Sequence, residues 1–225
     1  MEWNNDDELL KLVSKELYTA VVGDICDEFG YHKQFLSPDI KPIEIYKKVP
    51  IMVGRAMPAV EINLFDEPNA GSPFGKMFEA LDNLKKNEIY ICAGASKNYA
   101  TIGELMCTAM IARGAVGAVT DGFIRDVEGI RELNFPVYSS GFYAQDQKGR
   151  GMVIDYRVPI EINGVRINPG DLIIGDIDGI IVVPREKEEY IITKSLEKSR
   201  SEKIIQIKIK EGMLASEAFE KFGIM

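Results

Sequence analysis

Gly103, Glu104, Arg125 and Asp126 are the residues of this sequence whose types and spacing could do chemistry. Arginine offers a planar fork that matches a carboxylate. Acids beside it could hold a divalent cation or move a proton. A glycine ahead of a helix leaves N–H groups that attract a small anion. The stretch that carries them, NYATIGELMCTAMIARGAVGAVTDGFIRD over residues 98–126, reads as turn, helix, strand and turn. The turn at Ile102 and Gly103 opens a helix over residues 104–113, with Gly114 where a C-terminal helix glycine belongs. An apolar strand follows over residues 115–120. A helix of that length advances roughly 15 Å and the strand returns roughly 16–20 Å. Arg125 and Asp126 are thereby brought back toward Glu104 and the helix N-terminus, a set of groups suited to a small carboxylic acid.

The elements that must position these residues can be read along the chain. Residues 6–29 carry helical spacing and divide at Thr19 into two consecutive helices, the second (TAVVGDICDEFG) ended by Gly30. Residues 31–50 read as a proline-containing loop, 51–62 as a strand interrupted at Pro58, and 63–73 as a Gly, Pro and Asn loop. A short helix over 75–85 and an apolar strand over 88–93 lead into the central stretch. Beyond Phe142, residues 143–151 read as a flexible polar segment. Strands follow over 152–158, 161–167 and 172–183, with turns at Asn163-Gly164, at Asn168-Pro169-Gly170-Asp171 and within 176–179. Residues 185–210 form a long charged helix, then Gly212 and a last short helix ending near Phe222. This order predicts one α/β domain over residues 1–225 with a mixed sheet. No G-x-G-x-x-G is present, which argues against a Rossmann domain and against a methyltransferase nucleotide loop.

Composition narrows the function classes. Lys plus Arg number 27 against 35 for Asp plus Glu, a net charge of −8, and no basic block stands apart from the acids, so no nucleic-acid partner is expected. The first residues, MEWNNDDELLKLV, are acidic and no apolar run reaches the length of a membrane span, so the expectation is a cytoplasmic protein without a membrane partner. Cys26, Cys92 and Cys107 lack paired spacing and read as buried structural thiols. With His32 as the one histidine, any metal would take mainly oxygen ligands, which favours Mg²⁺ or Mn²⁺ over Zn²⁺. Plainer readings compete at each position. Asp126 could cap the helix begun by VEGIREL, and Glu104 is favoured in any first helical turn. Asp121-Gly122 could be a simple turn. Asp171, Asp176 and Asp178 read as a tight turn more readily than as a calcium loop, because the terminal Glu and length of an EF-hand are missing. Lys97 and Lys148 have polar neighbours, with nothing evident to activate them as Schiff-base lysines.

Gly103-Glu104, then Arg125-Asp126, together with INPGDLIIGDIDGIIVVPRE over residues 167–186, resemble the RraA-like family. That family includes metal-dependent 4-hydroxy-4-methyl-2-oxoglutarate aldolases, oxaloacetate decarboxylases and a regulator of ribonuclease E. The similarity extends over nearly the whole chain, from TAVVGDICDEFG to EGMLASEAFEKFG. It implies a three-layer β/β/α swivelling-type domain with N- and C-terminal helices, assembled as a homotrimer or homohexamer with sites between subunits. Its implied activity is a lyase that cleaves a carbon–carbon bond of a small 2-keto acid and releases pyruvate, with Mg²⁺ or Mn²⁺ as cofactor. Residue by residue, the resemblance implies Asp126 as metal ligand, Arg125 as the group holding the keto-acid end, and Glu104 as an acid that positions water on the metal. Gly103, Leu105 and Met106 would supply the backbone that receives the carboxylate. An acid of the long helix, such as Glu197 or Glu202, would complete a neighbour's site. One position departs: the aldolase signature has glycine four residues before Gly103, where Tyr99 stands, which leaves substrate identity open. The alternative reading is a non-catalytic regulatory or binding protein of the same fold.

Overall fold

The main-sheet strands are buried on both faces, and their alternate side chains join different cores, which divides the molecule into three layers. The computed structural model describes residues 2–43, 51–65 and 72–223. Two helices, α1 (Asp6–Glu16) and α2 (Thr19–Glu28), precede strands β1 (Lys41–Pro42) and β2 (Met52–Asn63). Helix and strand then alternate through α3 (Met77–Asp82), β3 (Glu88–Ala93), β4 (Ala100–Ile102), α4 (Glu104–Ala112), β5 (Gly117–Thr120), β6 (Phe123–Ile124), α5 (Val127–Glu132) and β7 (Val137–Ser139). A run of strands follows: β8 (Gly151–Tyr156), β9 (Ile160–Ile162), β10 (Val165–Ile167), β11 (Leu172–Gly175) and β12 (Ile180–Val183). Helices α6 (Glu188–Lys210) and α7 (Ala215–Phe222) come last.

The main sheet has the order β1-β7-β5-β3-β2-β11-β12, and β8 also pairs with β2. Strands β2, β3, β5 and β7 run parallel to their neighbours in that series. Parallel neighbours need crossover connections, and α3, α4 and α5 supply them. Successive side chains of a strand point to opposite faces. Met57, Ala59, Tyr90, Cys92 and Ala118 therefore share one face and pack on Leu81, Met110 and Ile130 of α3, α4 and α5. Val53, Leu172, Ile174 and Ile181 extend the same face beneath Leu9, Val22 and Leu196 of α1, α2 and α6. The alternate residues Met52, Ala56, Ile89, Ile91 and Val119 meet the β9–β10 hairpin through Ile160, Ile162 and Val165. Hairpin, sheet and helices thus stack as β/β/α, the arrangement the resemblance implies. Full burial of each such aliphatic side chain contributes about 1.5–3 kcal/mol.

Local signals account for the element boundaries. Asn5 caps α1 by accepting the Glu8 N–H, and Gly30 and Gly114 take positive φ of 81° and 83° at the ends of α2 and α4. Asn163 and Gly164, with φ of 50° and 81°, make the β9–β10 turn. Arg55, buried in β2, joins Asp6 at 2.7 Å and also Glu188, which ties α1 and α6 to the sheet. The Asp176 carboxylate accepts the Thr19 N–H and O–H at 2.8 Å each, and Asp171 accepts N–H groups of Asn168 and Arg185 at 2.7 and 3.0 Å. These acids are occupied by the chain itself, so they form the turn and not a calcium loop.

Pro58 does not interrupt its strand. On one edge of β2, β11 pairs with residues 52–55 and β8 with residues 59–63. Pro58 falls at the seam between them, where its missing N–H leaves no ladder bond unmade. The three cysteines are buried and free. Burial pushes the Cys26 thiol up to about 11 and Cys107 to about 12, and holds Cys92 well above its ordinary value. They are structural thiols. Among the described residues, no helix is long and apolar enough to cross a membrane.

Candidate active site

The central stretch lies beyond the carboxyl ends of β3 and β5, where open parallel sheets place their ligands. Two short strands the sequence did not reveal bring its parts together. β4 and β6 form a parallel pair, Ala100 opposite Phe123 and Ile102 opposite Ile124. The Arg125 N–H then donates to the Ile102 carbonyl at 3.0 Å, so Arg125 and Gly103 are held side by side. Asp121 reinforces the junction by accepting N–H groups of Gly94 and Ala95 at 2.8 and 3.2 Å.

Gly103 is the N-cap residue of α4, in extended conformation and with no side chain to cap the helix. A Cβ at this position would lie 2.7 Å from Asp126 Oδ2 and 3.4 Å from Arg125 Nε. The absence of a side chain thus lets both groups approach the helix end. Asp126 Oδ2 accepts the Glu104 N–H at 3.3 Å. Asp126 stands at the N-cap position of α5, as the plainer reading has it, yet its side chain makes no capping bond there. Its left-handed backbone, φ 57° and ψ 40°, turns the carboxylate toward α4.

Gly103, Leu105, Met106, Arg125 and Asp126 all line one cavity of ≈ 330 Å³. Glu104 contributes its N–H to this group, but its own carboxylate lies over Gly129 of α5, away from the lining residues. Among the described residues neither Lys97, Lys148 nor His32 lines the cavity. Glu197 pairs with Lys194 on its own helix, and Glu202 accepts the Tyr18 hydroxyl. Neither belongs to this chain's own site.

The segment expected to be flexible instead builds one wall. Ala100 N donates to Gln145 O at 2.8 Å, Ile124 N to Gly141 O at 3.0 Å and Tyr143 N to Ile124 O at 2.9 Å. These bonds lay residues 141–147 along the β4–β6 pair and bring in two site residues missed in the sequence, Asp146 and Gln147. Asp146 Oδ1 stands 3.2 Å from Arg125 Nη2, and Asp126 Oδ2 stands 3.7 Å from Arg125 Nε. An acid in a polar run carries no local mark of such a role, because a long-range backbone bridge fixes its place.

Behind this wall lies a buried acid. Glu61 is 2% exposed, and its Oε1 accepts Gln147 Nε2 at 2.6 Å. Among the described residues its Oε2 has no hydrogen-bond partner. Burial raises its carboxyl to about 7, only partly offset by the hydrogen bond from Gln147 and the nearby Tyr99 hydroxyl. Tyr99, at the position where the resembling aldolases have glycine, is buried over Gly151 and donates to Asn63 Oδ1 at 3.2 Å. It is not among the cavity's lining residues.

Among the described residues no three His, Cys, Asp or Glu side chains gather as a protein cage for a metal. Asp126, half exposed and with no capping bond to α5, could serve as a single carboxylate ligand. Such a sparse oxygen donor set fits Mg²⁺ or Mn²⁺, which keep several waters, and does not fit a structural Zn²⁺.

The model of the family described as RraA-like: Aldolase/RraA matches residues 19–182. Protein DlpA of Legionella pneumophila is 29% identical over 205 residues, covering 91% of this chain and 32% of that protein. A Halalkalibacterium halodurans protein named "Putative 4-hydroxy-4-methyl-2-oxoglutarate aldolase" is 37% identical over 106 residues, 47% of this chain and 50% of that one. The matches thus span between a third and a half of these relatives' lengths. Among solved structures, Streptomyces coelicolor RraAS2, described as an unusual member of the RNase ES inhibitor RraA protein family, gives a TM-score of 0.76 at 22% identity. That alignment covers 91% of this chain and 98% of that one, and it speaks for the fold alone.

Proposed function

Because the chain belongs to the RraA-like family, we propose that this cavity is the active site of a divalent-metal-dependent lyase that releases pyruvate from a 2-keto acid. The observation that carries the reading is the convergence of Arg125, Asp126 and the N-terminus of α4, whose N-cap residue Gly103 has no side chain, on one space. A pure interaction module gains nothing from that arrangement. The keto-acid carboxylate would lie against the Leu105 and Met106 N–H groups, favoured by the helix dipole. The Arg125 fork would fix its plane and direct the neighbouring keto oxygen. Asp126 would hold Mg²⁺ or Mn²⁺. Such an ion, when bound, stabilises negative charge developing on the keto oxygen as the carbon–carbon bond breaks. Asp146 keeps Arg125 extended toward the cavity, and Gly103 keeps the approach open. The same features serve aldol cleavage and decarboxylation of a 3-carboxy-2-keto acid, because both leave the pyruvate enolate. We place this activity in the cytoplasm, in a homotrimer or homohexamer.

The test is pyruvate release from oxaloacetate and from a panel of 4-hydroxy-2-keto acids, with Mg²⁺ or Mn²⁺ and with EDTA. Turnover should require the ion and resist borohydride. Activity that survives EDTA but is lost on borohydride reduction in the presence of pyruvate would replace the metal by a lysine imine. No pyruvate from any substrate would favour the regulatory reading of the fold.

A further inference from the structure

The cavity's lining comes from two chemically different groups of residues, termed its two ends. One holds Arg125, Asp126 and the α4 N-terminus. The other is formed by α3 and the residues before it, where Phe74, Met77, Phe78 and Leu81 face the same space. The rings of Phe74 and Phe78 meet edge to face with centroids 5.7 Å apart. Phe78 remains 54% exposed, a large aromatic surface at the rim of the cavity. Among the described lining residues Arg125 is the one cation. The acid at the apolar end, Asp82, is held by Arg113 at 3.1 Å.

We propose that the substrate's distal group, the part beyond C4, is uncharged and apolar, a branched alkyl or aryl group seated on Phe74 and Phe78. This rests on the lyase reading for the carboxylate end and deepens it. A second carboxylate would lose water against an aromatic wall and stand near Asp82, whose ion pair already engages Arg113, with no cation among the described lining residues at this end to receive it, and a poorly paired charge in such surroundings is disfavoured. Arg125 cannot serve both ends, because it stands beside Asp126 and Asp146, where the lyase reading has it receive the keto-acid carboxylate. An alkyl or aryl group gains from the same wall by burying apolar surface and by offset or edge contact with the rings. The reaction balances without an added redox partner. The C3–C4 bond breaks and the C4 hydroxyl loses its proton to become the carbonyl of an apolar aldehyde or ketone. The bond pair passes to C3, which takes up a proton to complete pyruvate.

Two unreactive ligands that differ only at the distal end separate this idea from the lyase reading. With Mg²⁺ present, calorimetry should show 4-methyl-2-oxopentanoate binding about tenfold tighter than 2-oxoglutarate, or more. Phe78→Arg, at an exposed position where folding is checked by its melting temperature, should move the ratio toward 2-oxoglutarate by a similar factor. Equal or tighter binding of 2-oxoglutarate to the parent protein, or binding of neither ligand, overturns the proposal. If the apolar ligand is preferred but no 4-hydroxy-2-keto acid yields pyruvate, the ligand class stands and the lyase reading falls.

Discussion

Arg125 Nη2 and Asp146 Oδ1 lie 3.2 Å apart across the cavity wall, so the guanidinium is tethered along one edge before any ligand arrives. The tether favours one orientation of a planar group, and a lysine ammonium has no plane to orient. Arg125→Lys should therefore lower the efficiency of pyruvate release by roughly a hundredfold while leaving Mn²⁺ affinity near the parental value. Steady-state kinetics with metal titration decide the point, and parental efficiency in the lysine protein would remove Arg125 from the site.

Asp126→Asn tests the ligand without disturbing the backbone. Asparagine tolerates the left-handed conformation at φ 57°, the side chain being replaced makes no capping bond to α5, and the asparagine oxygen can still accept the Glu104 N–H that Asp126 accepts at 3.3 Å, so stability should change by less than about 1 kcal/mol. Mn²⁺ binding measured by calorimetry should disappear. Retention of parental affinity would show that the metal, if any, is held elsewhere.

Gly103→Ala presses on the same carboxylate from the helix side. Its φ of −132° suits alanine, but the new methyl would stand 2.7 Å from Asp126 Oδ2. Mn²⁺ affinity should fall about tenfold, while α4 loses about 1 kcal/mol or less at its N-cap. An alanine protein with unchanged metal affinity and turnover would mean that the close approach has no functional part.

Glu61 gives the protein a pH signature. Its carboxyl is raised from 4.5 to about 7, so between those values the folded chain keeps a proton that the unfolded chain has released. Stability from this group is greatest below about 4.5 and is lost as pH rises through 7, by roughly 3 kcal/mol in all. Among the described residues, the groups beside it that interact with its charge, Tyr90, Cys92, Tyr99 and Asp121, are neutral or acidic and supply no compensating cation. Urea unfolding at pH 5 and pH 8 should show Glu61→Gln more stable than the parent at the higher pH and nearly equal at the lower. Parallel pH profiles for the two proteins would be the contrary result.

Local signals made much of this structure legible. Gly114, the apolar run of β3, the Asn163-Gly164 turn and the separation of α1 from α2 each depend on residues close in sequence. The return of Arg125 and Asp126 to α4 followed from helix and strand lengths. What escaped was fixed at a distance. β4 and β6 are three and two residues long, too short for periodicity to register. Asp146 gains its role from a bridge to Ala100. Glu61 follows a shift in register between Val60 and Glu61, where alternation ceases to tell inside from outside. The layer order became derivable only once strand pairing showed which alternate residues share a face.

β2 takes partners from residues 88–93, 151–156 and 172–175, and its seam at Pro58 has a consequence for synthesis. A chain made from its N-terminus presents this strand about a hundred residues before the last of those partners exists. At about 5–20 residues per second, one edge of a nearly all-buried strand waits roughly 5–20 s without its mates. Throughout that interval Pro58 stands in the middle of the open edge, and a residue that cannot donate to a neighbouring strand is a poor template for a wrong one.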